Sequence, residues 1–213
     1  MKEITEAVLS ELREKIFTEM SPKRFRHTVA VEEMVARLCA LFCPEHTAQL
    51  RAAALLHDLT KELSLAEQVE LSKSLGLSVK ECDLLSPKTF HARTAAAKIP
   101  LVFPELADPV IVDAVRWHTT GHVSMTLTEK LLYLADYIDL SRTFENCVIL
   151  RRYFWGAEPE KMTEDCRLAL LRDTLLMSYD MTVRDLLAEG TPIAIDTMDA
   201  RNELLFEKSR SEK

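Results

Sequence analysis

Three observations predict an all-α fold for this chain: glycine is scarce, helix-start signals recur, and apolar residues fall three and four apart with almost no strand-like alternation. Only 4 of the 213 residues are glycine, against a background of about 7%. That composition disfavours tight hairpins and glycine-rich phosphate loops. Ser64 to Glu67, Ser78 to Glu81 and Thr126 to Glu129 each match the S/T-x-x-E capping box, in which two side chains satisfy orphan backbone N–H groups reciprocally. A bundle of about nine or ten helices is expected.

Taken in order, residues 4–19 place Ile4, Val8, Leu12 and Ile16 on one helical stripe. Ser21 followed by Pro22 is an N-cap with proline at the first helical position. The helix it opens carries Val31, Met34, Val35 and Leu38 inward toward Phe42. Pro44 starts a third helix through Leu50, Ala54 and Leu55 to about Leu59. Asp108-Pro109 opens another, with Ile111, Ala114, Val115 and His118 on one face. Further helices fit residues 127–139, 163–178, 182–188 and 196–207, interrupted by Gly121, Gly156, Gly190 and Pro192. With no repeat, low-complexity tract or linker, residues 1–213 read as a single domain. It comprises an N-terminal helix in 1–20, a core over about 22–140, C-terminal helices over about 145–207 and a frayed tail at 207–213.

Charge and cysteine usage narrow the function. Lys and Arg number 27 against 34 Asp and Glu, a net charge of −7, so a broad grip on nucleic acid is not expected. The five cysteines are odd in number and contain no C-x-x-C pair, which reads as reduced thiols in a cytoplasmic protein. Cys39 and Cys43, four apart on a helix, read as a core contact rather than a metal pair. The charged opening residues and the absence of a membrane-length apolar run make export and membrane insertion unexpected.

The informative residues are histidines and aspartates. His27, His57-Asp58, His91, His118 and Asp136 each fall on or at the end of a different expected helix. Most share a face with apolar neighbours: His27 with Val31, His57 with Ala53 and Ala54, His118 with Ala114 and Val115, Asp136 with Leu132. They therefore point inward. Any one buried histidine is ordinarily a hydrogen-bonded core residue, but several converging His and Asp side chains satisfy one another best through a metal ion. His46 and His122 read as surface residues, and Arg151-Arg152 as a surface pair.

The order H…HD…H…H…D resembles the HD superfamily of metal-dependent phosphohydrolases. The flanks RFRH (24–27), LLHDLTK (55–61), FHARTAA (90–96), WHTTG (117–121), DYIDLSR (136–142) and IDTMDARNELL (195–205) resemble the YqeK family within it. These are bacterial symmetrical bis(5′-nucleosyl)-tetraphosphatases, which split diadenosine tetraphosphate into two ADP. The chain departs from that pattern at Asp139 and Leu140, where glutamate and proline are more frequent, and at Ala92, where glycine often follows the histidine.

The resemblance implies a metal held by His27, His57, Asp58 and Asp136, with His91 and His118 at a second metal or the substrate phosphates. It implies iron, with manganese or cobalt as alternatives, as one or two ions. The nucleophile would be a water activated by the metal, and Asp58, Lys61, His91 and His118 are the residues assigned to catalysis. Substrate contacts are expected from Arg24, Phe25, Arg26 and His27, from Asp58, His91, His118 and the neighbouring Thr119, and from Asp136, Tyr137, Asp139 and Arg142. Arg24, three before His27, and Lys61, four after His57, each share a helix face with a ligand. Arg142 reads as a bidentate phosphate clamp. Phe25 and Tyr137 could stack on a base, although aromatics at helical spacing more often belong to a core. The expected partners are a dinucleoside polyphosphate and its product ADP, with no nucleic acid and no membrane, and with a homodimer left open. The competing readings are another HD phosphohydrolase, such as a nucleotidase, and a non-catalytic nucleotide-binding module.

Overall fold

The computed structural model describes residues 3–211, without the side chain of Cys82; among them there are helices and connecting loops and no strand. Eleven α-helices are described: α1 (Glu6–Phe17), α2 (Pro22–Phe42), α3 (Thr47–Leu56), α4 (Leu65–Ser74), α5 (Glu81–Leu85), α6 (Phe90–Val102), α7 (Pro109–Trp117), α8 (Leu127–Ile138), α9 (Glu145–Gly156), α10 (Glu164–Glu189) and α11 (Ile195–Ser211). Short 3₁₀ turns, each opened by a proline (Pro44, Pro87, Pro104 and Pro159), precede α3, α6, α7 and α10. Proline suits these sites because its φ is already helical and the first turn leaves its missing N–H unneeded. No described helix is long and apolar enough to cross a membrane.

Start signals act as expected at Ser21, Ser64 and Thr126, whose side chains accept from the N–H of Arg24, Glu67 and Glu129; the last two complete capping boxes. Ser78 does not. Helix α5 starts three residues later, where Asp83 turns back to accept the N–H of Lys80 at 2.8 Å. A second correction concerns residues 163–189: the two expected helices are one, α10. Nothing between Ser178 and Thr182 breaks a helix, and the first stop signal is Gly190, which ends α10 in the left-handed conformation (φ 64°). Nor does the chain fray at Glu207, since α11 continues through Ser211 with Lys208 and Arg210 in its last turn, where cations suit a helix end. The last two residues of the expected tail, Glu212 and Lys213, lie outside the described residues.

The core is built around α2, which packs between α3 and α8, while α7 closes against α3, α6 and α8. In this packing Val31, Met34, Val35 and Leu38 of α2, Ala52, Ala53 and Ala54 of α3, and Leu131, Leu132 and Leu134 of α8 are all buried. Small residues let α2 and α3 approach closely, so the side chains at their ends converge. A buried carboxylate ties in α1: Glu32 accepts from Arg13 Nε at 2.8 Å and from Arg51 Nε at 3.0 Å. Helix α11 is docked by an Arg201 Nε to Asp180 contact of 2.6 Å, and its Glu203 accepts the N–H of Ser124 at 2.5 Å. The described cysteines are free; Cys39 and Cys43 lie together in the core, with Cys147 also buried and Cys166 exposed.

Candidate metal centre

Five elements deliver the His and Asp side chains to one place. His27 lies in the second turn of α2, His57 caps the C-terminal end of α3 with Asp58 next to it, and His91 is the second residue of α6. His118 caps the C-terminal end of α7, and Asp136 is in the last turn of α8. The Nε2 of His27 is 2.9 Å from Asp136 Oδ1 and 3.7 Å from Asp58 Oδ2. The Nε2 of His57 is 3.3 Å from Asp58 Oδ2 and 3.7 Å from Asp136 Oδ1. Four ligands on a metal at about 2.1 Å would stand about 3.0–3.4 Å from one another, so this ring has the dimensions of a coordination shell. Asp58 turns its other oxygen, Oδ1, toward His91 Nε2 at 3.1 Å and His118 Nε2 at 4.0 Å. Its carboxylate thus stands between His27 and His57 on one side and His91 and His118 on the other, with His57 and His118 also within reach of a common ion.

The donor chemistry fits a cation. His57 Nδ1 lies 2.6 Å from the carbonyl of Ala54, and His118 Nδ1 lies 2.7 Å from the carbonyl of Val115. A carbonyl only accepts, so each Nδ1 carries the proton and each Nε2 presents a lone pair inward, the arrangement that orients a metal-binding histidine. The Nε2 of His57 is buried without a hydrogen-bond partner, a costly state unless an ion takes its lone pair. Burial pushes the carboxyl of Asp58 up, but His57 and His91 outweigh it and hold it well below the usual carboxylate range. Burial likewise opposes Asp136, and the Arg142 guanidinium and His27 hold it well below. Burial lowers His27, yet its contacts to Asp136 and Asp139 bring it up to about 9. His118 is pushed well down by burial and by the neighbouring His57 and His91. Two carboxylates held well below their usual range, beside the inward-facing Nε2 atoms of His57 and His118, form a cation receptor.

The HD domain model matches residues 24–141, a span that contains all six of these side chains. The chain belongs to the HD-domain family. It is 31% identical over 165 residues to the symmetrical bis(5′-nucleosyl)-tetraphosphatase of Staphylococcus aureus, covering 76% of this chain and 81% of that protein. The proteins of the same description from Halalkalibacterium halodurans and Bacillus subtilis are 28% and 29% identical, covering 89% and 88% of this chain and 92% of each relative. A crystal structure from Clostridium acetobutylicum, described as a predicted HD superfamily hydrolase involved in NAD metabolism, superposes with a TM-score of 0.80 at 27% identity. The match covers 93% of this chain and 97% of that one. This is an HD-domain hydrolase homologous to the symmetrical tetraphosphatases.

Around these six His and Asp side chains stand three cations. Arg24 Nη1 meets Asp58 Oδ2 and Arg142 Nη2 meets Asp136 Oδ1, each at 2.5 Å. Both are about a quarter exposed, so the two guanidiniums form the rim of the pocket. Lys61 Nζ lies 3.2 Å from His91 Nδ1, and burial lowers its ammonium below the usual range. Lys61 does not share the helix face expected with His57: it stands on a turn after α3, which stops at Leu56, and Arg142 lies in the loop after α8, which stops at Ile138. The Oγ1 of Thr119 is buried without a partner. A closed polar network fixes His91 from below: Thr60 Oγ1 donates to the His91 carbonyl at 3.0 Å, Thr94 Oγ1 donates to Gln68 Oε1 at 2.8 Å, and the Gln68 amide donates to the Thr60 carbonyl.

Other expected contacts are placed elsewhere. Asp139 is fully buried against His27, its Oδ2 3.4 Å from His27 Nδ1, and does not reach solvent. Ser141 Oγ stands 3.3 Å from the same nitrogen. Arg26 is exposed, one residue and about 100° around α2 from His27. Phe25 packs edge-on against Phe17 at 5.0 Å. Tyr137 stacks on Tyr133 and hydrogen-bonds Thr182, which makes it part of the α8–α10 packing. His46 and His122 are half-buried, the latter against Trp117 and 3.1 Å from Glu129. Arg151 is not a surface residue; it lies under the 138–142 loop. The signal that marks it is its register: it shares the inward stripe of α9 with Cys147, Leu150 and Phe154.

Proposed function

We propose that this HD-domain hydrolase cleaves diadenosine tetraphosphate and related dinucleoside tetraphosphates symmetrically to two ADP. The observation that carries the reading is the division of Asp58. One oxygen faces His57 and His27 and the other faces His91 and His118, so that this one carboxylate could serve one or two cations. The names of the relatives support the substrate. His27, His57, Asp58 and Asp136 would hold the tighter ion, and His91 and His118 the second ion or a phosphate oxygen. Nitrogen and oxygen donors without thiolate suit iron, with manganese or cobalt as alternatives. Bound there, such ions acidify water and neutralise charge on phosphoryl oxygens.

The protein's own groups supply position and charge. Arg24 and Arg142 at the rim offer planar forks that match phosphate oxygens, and their place on either side of the ligand carboxylates centres a tetraphosphate over the ions. Water's oxygen ends on the phosphorus of one half, and the central bridging oxygen departs with the other half as ADP. Lys61, beside His91, faces the growing charge on that leaving oxygen and can supply its proton. Thr119, with its free hydroxyl, donates to a phosphate oxygen next to His118.

Metal-loaded protein is expected to yield ADP as the sole nucleotide product from diadenosine tetraphosphate, and the metal content of the same sample identifies the ion. AMP with ATP would overturn the symmetric cleavage. Faster turnover of mononucleotides than of the dinucleotide would move the protein to the nucleotidases.

A further inference from the structure

The loop after α8 is short, irregular and indispensable to the geometry above. It carries Asp139 and Ser141, which stand at His27 Nδ1, and Arg142, which stands on Asp136. One side chain from outside the loop holds it. Arg151 Nε donates to the carbonyl of Ile138 at 2.8 Å, while its Nη2 donates to the carbonyl of Asp139 and, at 2.8 Å, to that of Arg142. No carboxylate lies within ion-pair distance of Arg151 among the described residues. A guanidinium is a rigid planar fork, so bonds to both ends of a five-residue loop fix the separation of those ends. The carbonyl of Ile138 is also one of the orphan acceptors at the end of α8.

We infer that Arg151 is a positioning residue for the metal centre. Through the 138–142 loop it sets Asp139 and Ser141 against His27 and Arg142 against Asp136, and so aims two ligands that come from different helices. Supporting groups of this kind change metal affinity about 10–100-fold when lost. The inference rests on the metal reading proposed above.

The test compares Arg151→Met, which keeps the stem and removes the fork, Arg151→Lys, which keeps the charge without the fork, and Arg152→Met on the exposed side. The full-length proteins are stripped of metal and titrated with manganese(II), and their metal-free melting temperatures are recorded. Affinity is expected to fall about 10–100-fold for Arg151→Met, to a smaller extent for Arg151→Lys, and not at all for Arg152→Met. Lower thermal stability with wild-type manganese affinity would make Arg151 a helix-end cap only and overturn the inference. If Arg151→Met does not fold, wild-type affinity in Arg151→Lys overturns it equally. A wild-type protein that binds no divalent ion removes the metal reading itself, whereas wild-type binding with unaltered variants removes only the role of Arg151.

Discussion

Replacing Asp58 by Asn tests the centre most directly, because the two side chains are nearly isosteric and only charge and acceptor capacity change. The Asp58 carboxylate is 3% exposed and lies within 4.0 Å of four imidazoles and Arg24. Breaking a buried ion pair on one side costs about 3–5 kcal/mol, but Arg24 is a quarter exposed and recovers part of this by solvation, leaving about 2–3 kcal/mol of folding stability. For catalysis the loss is larger in consequence. Removing one electrostatic partner of a phosphoryl-transfer site lowers turnover about 10²–10³-fold, and Asp58 faces both donor groups, so about 10³-fold is the smallest effect expected. Product formation from diadenosine tetraphosphate by anion-exchange chromatography measures the rate; metal content and circular dichroism of the same sample separate ligand loss from unfolding. Folded Asp58→Asn protein that retains its metal and turns over at the wild-type rate would refute the assignment.

Three further outcomes follow from the geometry. Gly121 has φ +63°, and a Cβ there would fall 1.9 Å from the Tyr179 hydroxyl. Gly121→Ala should cost about 2–4 kcal/mol and lower Tm by roughly 5–15 °C. Tyr179→Phe should restore part of that loss, because the ring carbon behind the oxygen stands at 3.1 Å. Arg142→Lys loses the fork that spans Asp136 and Asp139 and should raise KM for the dinucleotide about tenfold or more; an unchanged KM would remove it from the phosphate track. In metal-free protein, His27 is raised from 6.5 to about 9, so its stabilisation is complete below pH 6.5 and disappears as pH rises through 9. Depressed Asp58 and Asp136 contribute above about pH 4, and their contribution is lost on further acidification. His91 and His118, lowered by burial, make stability fall as pH drops below about 6.5, so stability should peak at about pH 6.5, and His27→Gln should abolish the alkaline decline of about 3 kcal/mol, as read by urea titration.

The convergence of the His and Asp side chains is legible in the sequence because each obeys local periodicity. His27 and Asp136 lie in helices with apolar residues four away, and His57 and His118 end helices whose inward faces are apolar for a full turn. Helix starts at Ser21, Ser64 and Thr126 are legible through a similarly local signal, a side chain answering a backbone N–H three residues on. What escapes is side-chain chemistry directed at groups far along the chain. The register of α9 turns Arg151 inward, but periodicity does not encode which carbonyls it reaches 9–13 residues back, nor that Asp139 stands against a histidine 112 positions earlier. The doublet Arg151-Arg152 reads as uniformly polar, although only one of the two is on the exposed face of α9. Helix α10 reads as two because Asp180 and Thr182 weaken its apolar pattern, yet Arg201 and Tyr137 occupy those polar groups from outside.

The placement of His57 and His118 as helix caps has an electrostatic consequence. Helices α3 and α7 end on those residues, and α8 ends two residues after Asp136. Each C-terminal end carries about half a negative charge, with an interaction of about 0.3–1 kcal/mol with a nearby cation. Three such ends bias the pocket toward cations by about 1–3 kcal/mol before any carboxylate is counted. Like partial charges that converge also repel, so an ion bound there draws together the ends of three helices that would otherwise push apart. Occupancy of the centre and stability of the fold are thus one thermodynamic quantity: the free energy of ion binding adds to that of folding.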